Sequence, residues 1–166
     1  MNIELREWNS EDATQLVNIV NNTDRTYLRC LGGGKYSLKD ARKYIRLVTG
    51  EKAKYGLFRA IVVDGEVVGV ISVELGGDIT AIDASIGYYL HNDYMNKGIA
   101  TEAVRLIVAE AMKSLDITRI TAYIAEPNSA SMCVLEKKWF QARGHNATGC
   151  KARMWHSRCC TLLYPS

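Results

Sequence analysis

The stretch from Ile79 to Leu115, ITAIDASIGYYLHNDYMNKGIATEAVRLIVAEAMKSL, constrains the fold more than any other part of the chain. Its first half is rich in β-branched and aromatic residues and puts Ile82, Ile86, Tyr88 and Leu90 on one face of a strand. In its second half Ala100, Ala103, Val104, Ile107, Val108, Ala111 and Leu115 recur at three- and four-residue spacing, which leaves Glu102, Arg105 and Lys113 outward on a long helix. Between the two lies the polar turn Asn92-Asp93-Tyr94-Met95-Asn96-Lys97-Gly98. A turn that feeds a helix start leaves backbone N–H groups unpaired at the positive end of the helix dipole. Glycine lets a phosphate approach that backbone closely, so the segment is built to bind an anion.

The flanking sequence supplies a mixed set of strands and helices. Asn2 to Trp8 alternates as a first strand; Ser10 is the expected N-cap of a helix with Glu11 and Asp12 in its first turn and Ala13, Leu16, Val17 and Val20 as its buried stripe. Ser37, with Asp40 three residues on, opens a second helix to about Glu51, buried through Ala41, Tyr44, Ile45 and Val48. Two apolar runs, 56–63 and 67–73, flank Asp64-Gly65 and predict a hairpin whose sheet is covered on both faces. Gly76-Gly77-Asp78 is then a tight turn into the strand ending at Leu90. Past the long helix, Thr118 to Ala125 reads as a strand and Asn128 to Lys138 as a helix, with Pro127 ending the strand and Asn128 able to cap the helix. Trp139 to Arg143 begins another strand, His145 to Lys151 is a loop, and Arg158 to Tyr164 is a final strand. The order βααβββαβαββ, without repeats or a linker, predicts one α+β domain over 1–166 around a mixed, mostly antiparallel sheet with helices on both faces.

Several functional classes fall away on composition. A net charge of +3 is too small for a nucleic-acid binder, no apolar run approaches the length needed to span a bilayer, and Met1 to Arg6 lacks the apolar core of a signal peptide. A cytoplasmic protein, monomer or homodimer, is the expectation. The five cysteines, at 30, 133, 150, 159 and 160, have no CxxC spacing; they read as reduced thiols, and no metal site is expected. Gly32-Gly33-Gly34-Lys35 suggests a phosphate loop but has Arg29 where glycine is required and Tyr36 where Ser or Thr would hold magnesium, so it reads as a mobile loop. After Glu136 the chain carries no acidic residue while Lys137, Lys138, Arg143, Lys151, Arg153 and Arg158 follow, which suits either a solvated face or an anionic ligand.

Two blocks carry a family resemblance. The run Gly87-Tyr88-Tyr89-Leu90, Asn92-Asp93-Tyr94 and Lys97 to Ala103 resembles motif A of the GCN5-related N-acetyltransferases, and most closely their RimJ/RimL-like subgroup. Glu126-Pro127-Asn128-Ser129-Ala130-Ser131, with Leu135-Glu136-Lys137 and Phe140, resembles that family's second cofactor element. The resemblance implies acetyl-CoA as cosubstrate, with its pyrophosphate on the backbone of Asn96, Lys97, Gly98, Ile99 and Ala100 and on Thr101. It also implies a kinked strand at Tyr88, Tyr89 and Leu90 whose backbone receives the pantetheine arm and polarises the thioester carbonyl. Their rings read as ordinary sheet core. Asn128 and Ser131 match Asn-x-x-Ser, which makes Ser131 the candidate proton donor to the departing thiolate. Met95 stands where the wider family often has Gln or Arg, leaving the backbone cradle intact.

The proton acceptor is harder to place. An α-amine with a pKa of about 8 is partly neutral at pH 7, whereas a lysine at about 10.4 is almost wholly charged, so an α-amine needs less help. Asp83, Ser85 and Gly87 share a strand face, and Asp83, roughly 13 Å from Gly87, reaches the thioester through water. Glu74 pairs near Thr80 if the 76–78 turn is tight and lies farther off; His91 and His156 are further candidates. The expected acceptor is a protein N-terminus or an amine-bearing small molecule. The alternative is a non-catalytic acyl-CoA-binding module.

Overall fold

A computed structural model describes residues 1–26, 28, 34–76, 83–125, 128–136, 140–146 and 159–163. Strands β1 (Ile3–Arg6), β2 (Gly56–Val63), β3 (Glu66–Leu75), β4 (Asp83–Leu90), β5 (Arg119–Ala125), β6 (Gln141–Asn146) and β7 (Cys159–Leu163) form one sheet in the order β1-β2-β3-β4-β5-β7-β6. All neighbours are antiparallel except β4 and β5, the parallel pair that α3 (Ile99–Ser114) connects. Helices α1 (Ala13–Asn21) and α2 (Leu38–Thr49) cover one face; α3 and α4 (Ser129–Glu136) cover the other.

The predicted mixed sheet with helices on both faces is the fold observed. The hairpin forms at Asp64-Gly65, both with positive φ as a tight turn between twisted strands requires. The continuous apolar runs of β2 and β3 divide between two cores. Leu57, Ile61, Ile71 and Val73 pack with α3; Phe58, Ala60, Val62 and Val70 pack with α1 and α2. A register shift at Ile61/Val62 leaves Val68 as an extra residue in β3, so the inward positions change parity along the strand.

Helix starts follow local chemistry with one displacement. Ser37 and Asp40 form the expected capping box at α2. At the first helix the cap is Asn9, not Ser10. The Asn9 side chain accepts the N–H groups of Glu11 and Asp12 while the Asp12 carboxylate accepts the Asn9 N–H, so a short 3-10 turn precedes α1. Starting α1 at Ala13 also buries Ile19 fully and leaves Val17 half-buried. Strand β6 extends through Asn146, two residues into the span read as a loop, because pairing with β7 continues to Asn146↔Cys159. Residues 77–82, most of the triple-glycine loop, and His156 lie outside the described residues.

Candidate functional site

The site is created where two strands part. Parallel pairing of β4 with β5 runs Asp83↔Arg119, Ala84↔Ile120, Ser85↔Thr121 and Ile86↔Ala122, and stops there. Both strands continue, β4 to Leu90 and β5 to Ala125, each held on its far side, by β3 and β7 respectively. The facing edges from Gly87 and Tyr123 onward therefore border a slot. Three bonds fix the far end of β4: the Thr23 hydroxyl to the Leu90 carbonyl at 2.6 Å, the His91 N–H to the Val68 carbonyl at 2.9 Å, and the Asn92 N–H to the Asn22 carbonyl at 2.9 Å. Alternation places Tyr88 with the α3 core and Tyr89 with the α1/α2 core; the bonds at Asp83 and His91 turn the odd-numbered backbone groups of β4, Tyr89 among them, toward β3, so Tyr88 and Leu90 are the residues whose backbone faces the slot.

The turn after β4 delivers the chain to α3 with its first N–H groups uncapped by any side chain. Gly98, the N-cap, sits at φ 77° with no side chain to offer, and Asn96 is also left-handed at φ 58°. Added at Gly98, a Cβ would meet nothing within 4 Å, so the glycine answers a backbone demand and leaves the helix start open. Ile99 is fully buried and can offer only its backbone; Ala100 and Thr101 are half-buried on the first turn. The Lys97 ammonium lies over the Tyr94 ring at 5.2 Å, and the Tyr94 hydroxyl donates to Glu66 at 2.8 Å. These residues line a cavity of about 530 Å³ shared with Asn18, Asn22, His91 and Asp93, on the α1 side of the turn.

Across the slot, Asn128 both caps and orients. Its side-chain oxygen accepts the Ser131 N–H at 3.1 Å. The Ser131 hydroxyl lies 2.8 Å from the Tyr88 hydroxyl, which also reaches the Ser131 carbonyl at 3.3 Å. A contact spanning 43 positions thus ties α4 to the exposed edge of β4. Burial pushes the Tyr88 phenol up to about 12, against the lowering effect of its bond to Ser131. The Tyr88 ring packs against the α3-side core as expected, and its hydroxyl in addition meets Ser131. No sequence signal marks that pairing, since it needs the helix and strand to be brought together.

Of the two carboxylates weighed in the sequence, Asp83 lies where the strand reading put it and Glu74 does not. Asp83 is the first residue of β4, at the end away from the slot, bonded to the guanidinium of Arg119, its register partner on β5. Glu74 pairs with Ser85, not Thr80, and Ser72 pairs with Gly87. The Gly76 N–H bonds to the Asp83 carbonyl at 2.8 Å, so the β3–β4 pairing runs on to that level; Gly77 and Asp78 of the expected turn lie outside the described residues. Glu74 is therefore nearer the slot than expected. His91 accepts the Asp93 N–H on Nδ1 at 3.2 Å within the turn before α3. A second cavity, about 390 Å³, lies against α2 between Gly34, Lys35, Tyr36, Lys43 and Leu47.

Against known proteins, the family model described as Acetyltransferase (GNAT) domain matches residues 2–141. A curated relative, "Probable N-acetyltransferase YjcK" of Bacillus subtilis (strain 168), is 37% identical over 116 residues, or 66% of this chain and 62% of that protein. The match thus spans less than two thirds of that relative's length. Among solved structures, a "Probable acetyltransferase" superposes with a TM-score of 0.84 at 25% identity, covering 98% of this chain and 92% of the other. RimL, a ribosomal L7/L12 alpha-N-protein acetyltransferase in complex with coenzyme A, superposes at 0.80 with 17% identity over 99% and 94% of the two chains, a likeness of fold.

Proposed function

The chain belongs to the GNAT acetyltransferase family, and from that premise we propose that it transfers the acetyl group of acetyl-CoA to a primary amine by direct attack on the thioester. The observation that carries this reading is the parting of β4 from β5 after Ile86 and Ala122, directly before an uncapped helix start. Backbone edges that lack a strand partner need hydrogen-bonding partners, and an extended amide-bearing arm satisfies them. A pyrophosphate satisfies the α3 N–H groups at the positive end of the dipole. The residues fit such a cosubstrate: Asn96, Lys97, Gly98, Ile99, Ala100 and Thr101 hold the pyrophosphate. The backbone of Tyr88 and Leu90, with Asn128, holds the arm, and Tyr89 between them anchors the strand to β3.

Acetyl-CoA supplies an activated acyl carbon and a thiolate leaving group. The chain's own groups do the rest. A backbone N–H of β4 beyond the point of parting stabilises charge on the carbonyl oxygen. Ser131 hydrogen-bonds the departing sulfur and passes it a proton, with the Tyr88 hydroxyl fixing its rotamer. Asp83, four residues along β4 from Gly87 and bonded to Arg119, communicates with the slot only through water. RimL's action on a protein α-amine supports an N-terminal acceptor for this chain, with a small-molecule amine as the other candidate.

Calorimetric titration with acetyl-CoA, followed by thiol release on adding N-terminal peptides and small amines, tests the proposal. Binding with release for some acceptor is the expected result. Binding without release across the panel would identify a ligand-sensing module instead, and no binding would remove the cosubstrate assignment altogether.

A further inference from the structure

The β3–β4 register creates a polar trough on the sheet face opposite Tyr88 and Ser131. Val70 packs with α1 and α2, so by alternation Ser72 and Glu74 share that face. Their partners on β4 are Gly87 and Ser85, and Val70 pairs with Tyr89, which packs against the same layer. Gly87 is exposed, and a Cβ there would meet only the Ser72 hydroxyl, at 3.9 Å. The sheet is thus open above the first residue of the slot. Directly opposed side chains start about 5 Å apart, so the Glu74 carboxylate projects beside Ser85. That position is two residues, roughly 7 Å along the strand, from the level of Gly87.

We propose that Glu74 receives the acceptor ammonium and takes its proton, directly or through one water, before the amine attacks the thioester. The assignment rests on the transferase reading above. Its neighbours suit the role. Lys52, just before β2, bonds one Glu74 oxygen at 3.3 Å, and Ser72 donates to the other at 3.4 Å, which orients the carboxylate while leaving its side chain 43% exposed. The facing position on β2 is Gly56, which adds no charge. On β4 the other charged group on this face is Asp83, two positions beyond Ser85 and paired with Arg119. An incoming cation therefore meets Glu74 before Asp83 on the way from the slot.

The protons balance. The ammonium gives one to Glu74, which returns it to solvent. The neutral nitrogen forms the C–N bond, the C–S bond breaks, the second nitrogen proton passes to solvent, and solvent restores to Ser131 the proton that it gives the thiolate, so one proton is released per turnover. Acceptor and leaving group are served from opposite faces of the sheet.

Glu74→Gln is the test, with Ala-Gly-Gly-amide, Ser-Gly-Gly-amide and Met-Gly-Gly-amide as acceptors. Acetyl-CoA affinity should stay within twofold of wild type while kcat/KM at pH 7 falls at least tenfold. The deficit should shrink as pH rises and the peptide amine loses its proton unaided, and Glu74→Asp should recover part of the rate. A uniform loss at every pH, or no loss at all, would overturn the role of Glu74 while leaving the transferase standing. Absence of CoA release by the wild-type chain with any of these peptides or with small amines would overturn the transferase reading itself, and Glu74's role with it.

Discussion

At the scale of single residues, the pair Tyr88–Ser131 shows how environment sets a protonation state that residue type does not. A phenol pushed up to about 12 stays protonated across the working range, so it offers the serine oxygen a steady partner and adds no inflection to the rate profile. Ser131→Ala should lower kcat about 10- to 100-fold with little change in acetyl-CoA affinity, by calorimetry and thiol release. Tyr88→Phe keeps the ring and should cost less, with no shift in the pH profile below pH 10. An unaltered rate in the serine variant would remove its role as proton donor. Asn-x-x-Ser singles out Ser131 as a candidate; its contact with Tyr88 is not legible there, because 43 residues separate them.

At the scale of elements, helix starts repeat two solutions with different consequences. Where α1 needs stability, Asn9 and Asp12 cap reciprocally, and Arg6 of β1 bonds both oxygens of the buried Asp12 at 2.7 and 2.8 Å. Burial pushes the Asp12 carboxyl up, but its bonds to Arg6 and to the Asn9 N–H, with the guanidinium charge, outweigh that and hold it below the usual value. A depressed folded pKa contributes stability above the unfolded value and loses it as pH falls through the folded value. The contribution is thus complete at neutral pH and fades below about pH 4. Asp12→Ala should destabilise the chain by about 2 kcal/mol at pH 7 and by less at pH 3, measured by urea unfolding. Where α3 needs an open end, Gly98 supplies no cap. Gly98→Glu should cost about 1 kcal/mol of stability from its left-handed backbone, and should abolish acetyl-CoA binding by placing a carboxylate at the helix start. A folded variant with unchanged affinity would move the pyrophosphate elsewhere.

At the scale of the whole molecule, the sheet holds two cores apart and the slot opens between its halves. Ile107 is fully buried in the α3-side core, so Ile107→Ala should cost about 3 kcal/mol by chemical denaturation, through lost burial and the cavity left behind. What the sequence determined by itself is everything set within a few residues: the 3.6-residue stripe of α3, the Asp-Gly hairpin, the Ser37 box, and the glycine before a helix start. Each follows from short-range sterics and hydrogen bonding that any chain with those residues would obey. Even the displaced cap at Asn9 errs by one position, because Asn and Ser compete on equal chemistry. What only the tertiary structure decided is the relation between distant segments. The β3–β4 register sets Glu74 against Ser85 instead of Thr80, and a shift of register relocates every side chain along the strand. The parting of β4 from β5 goes with β3, Asn22 and Thr23 holding one strand while β7 holds the other. Cross-strand register and separation are fixed by packing on both faces and by the ends of neighbouring elements, and no local pattern encodes those forces.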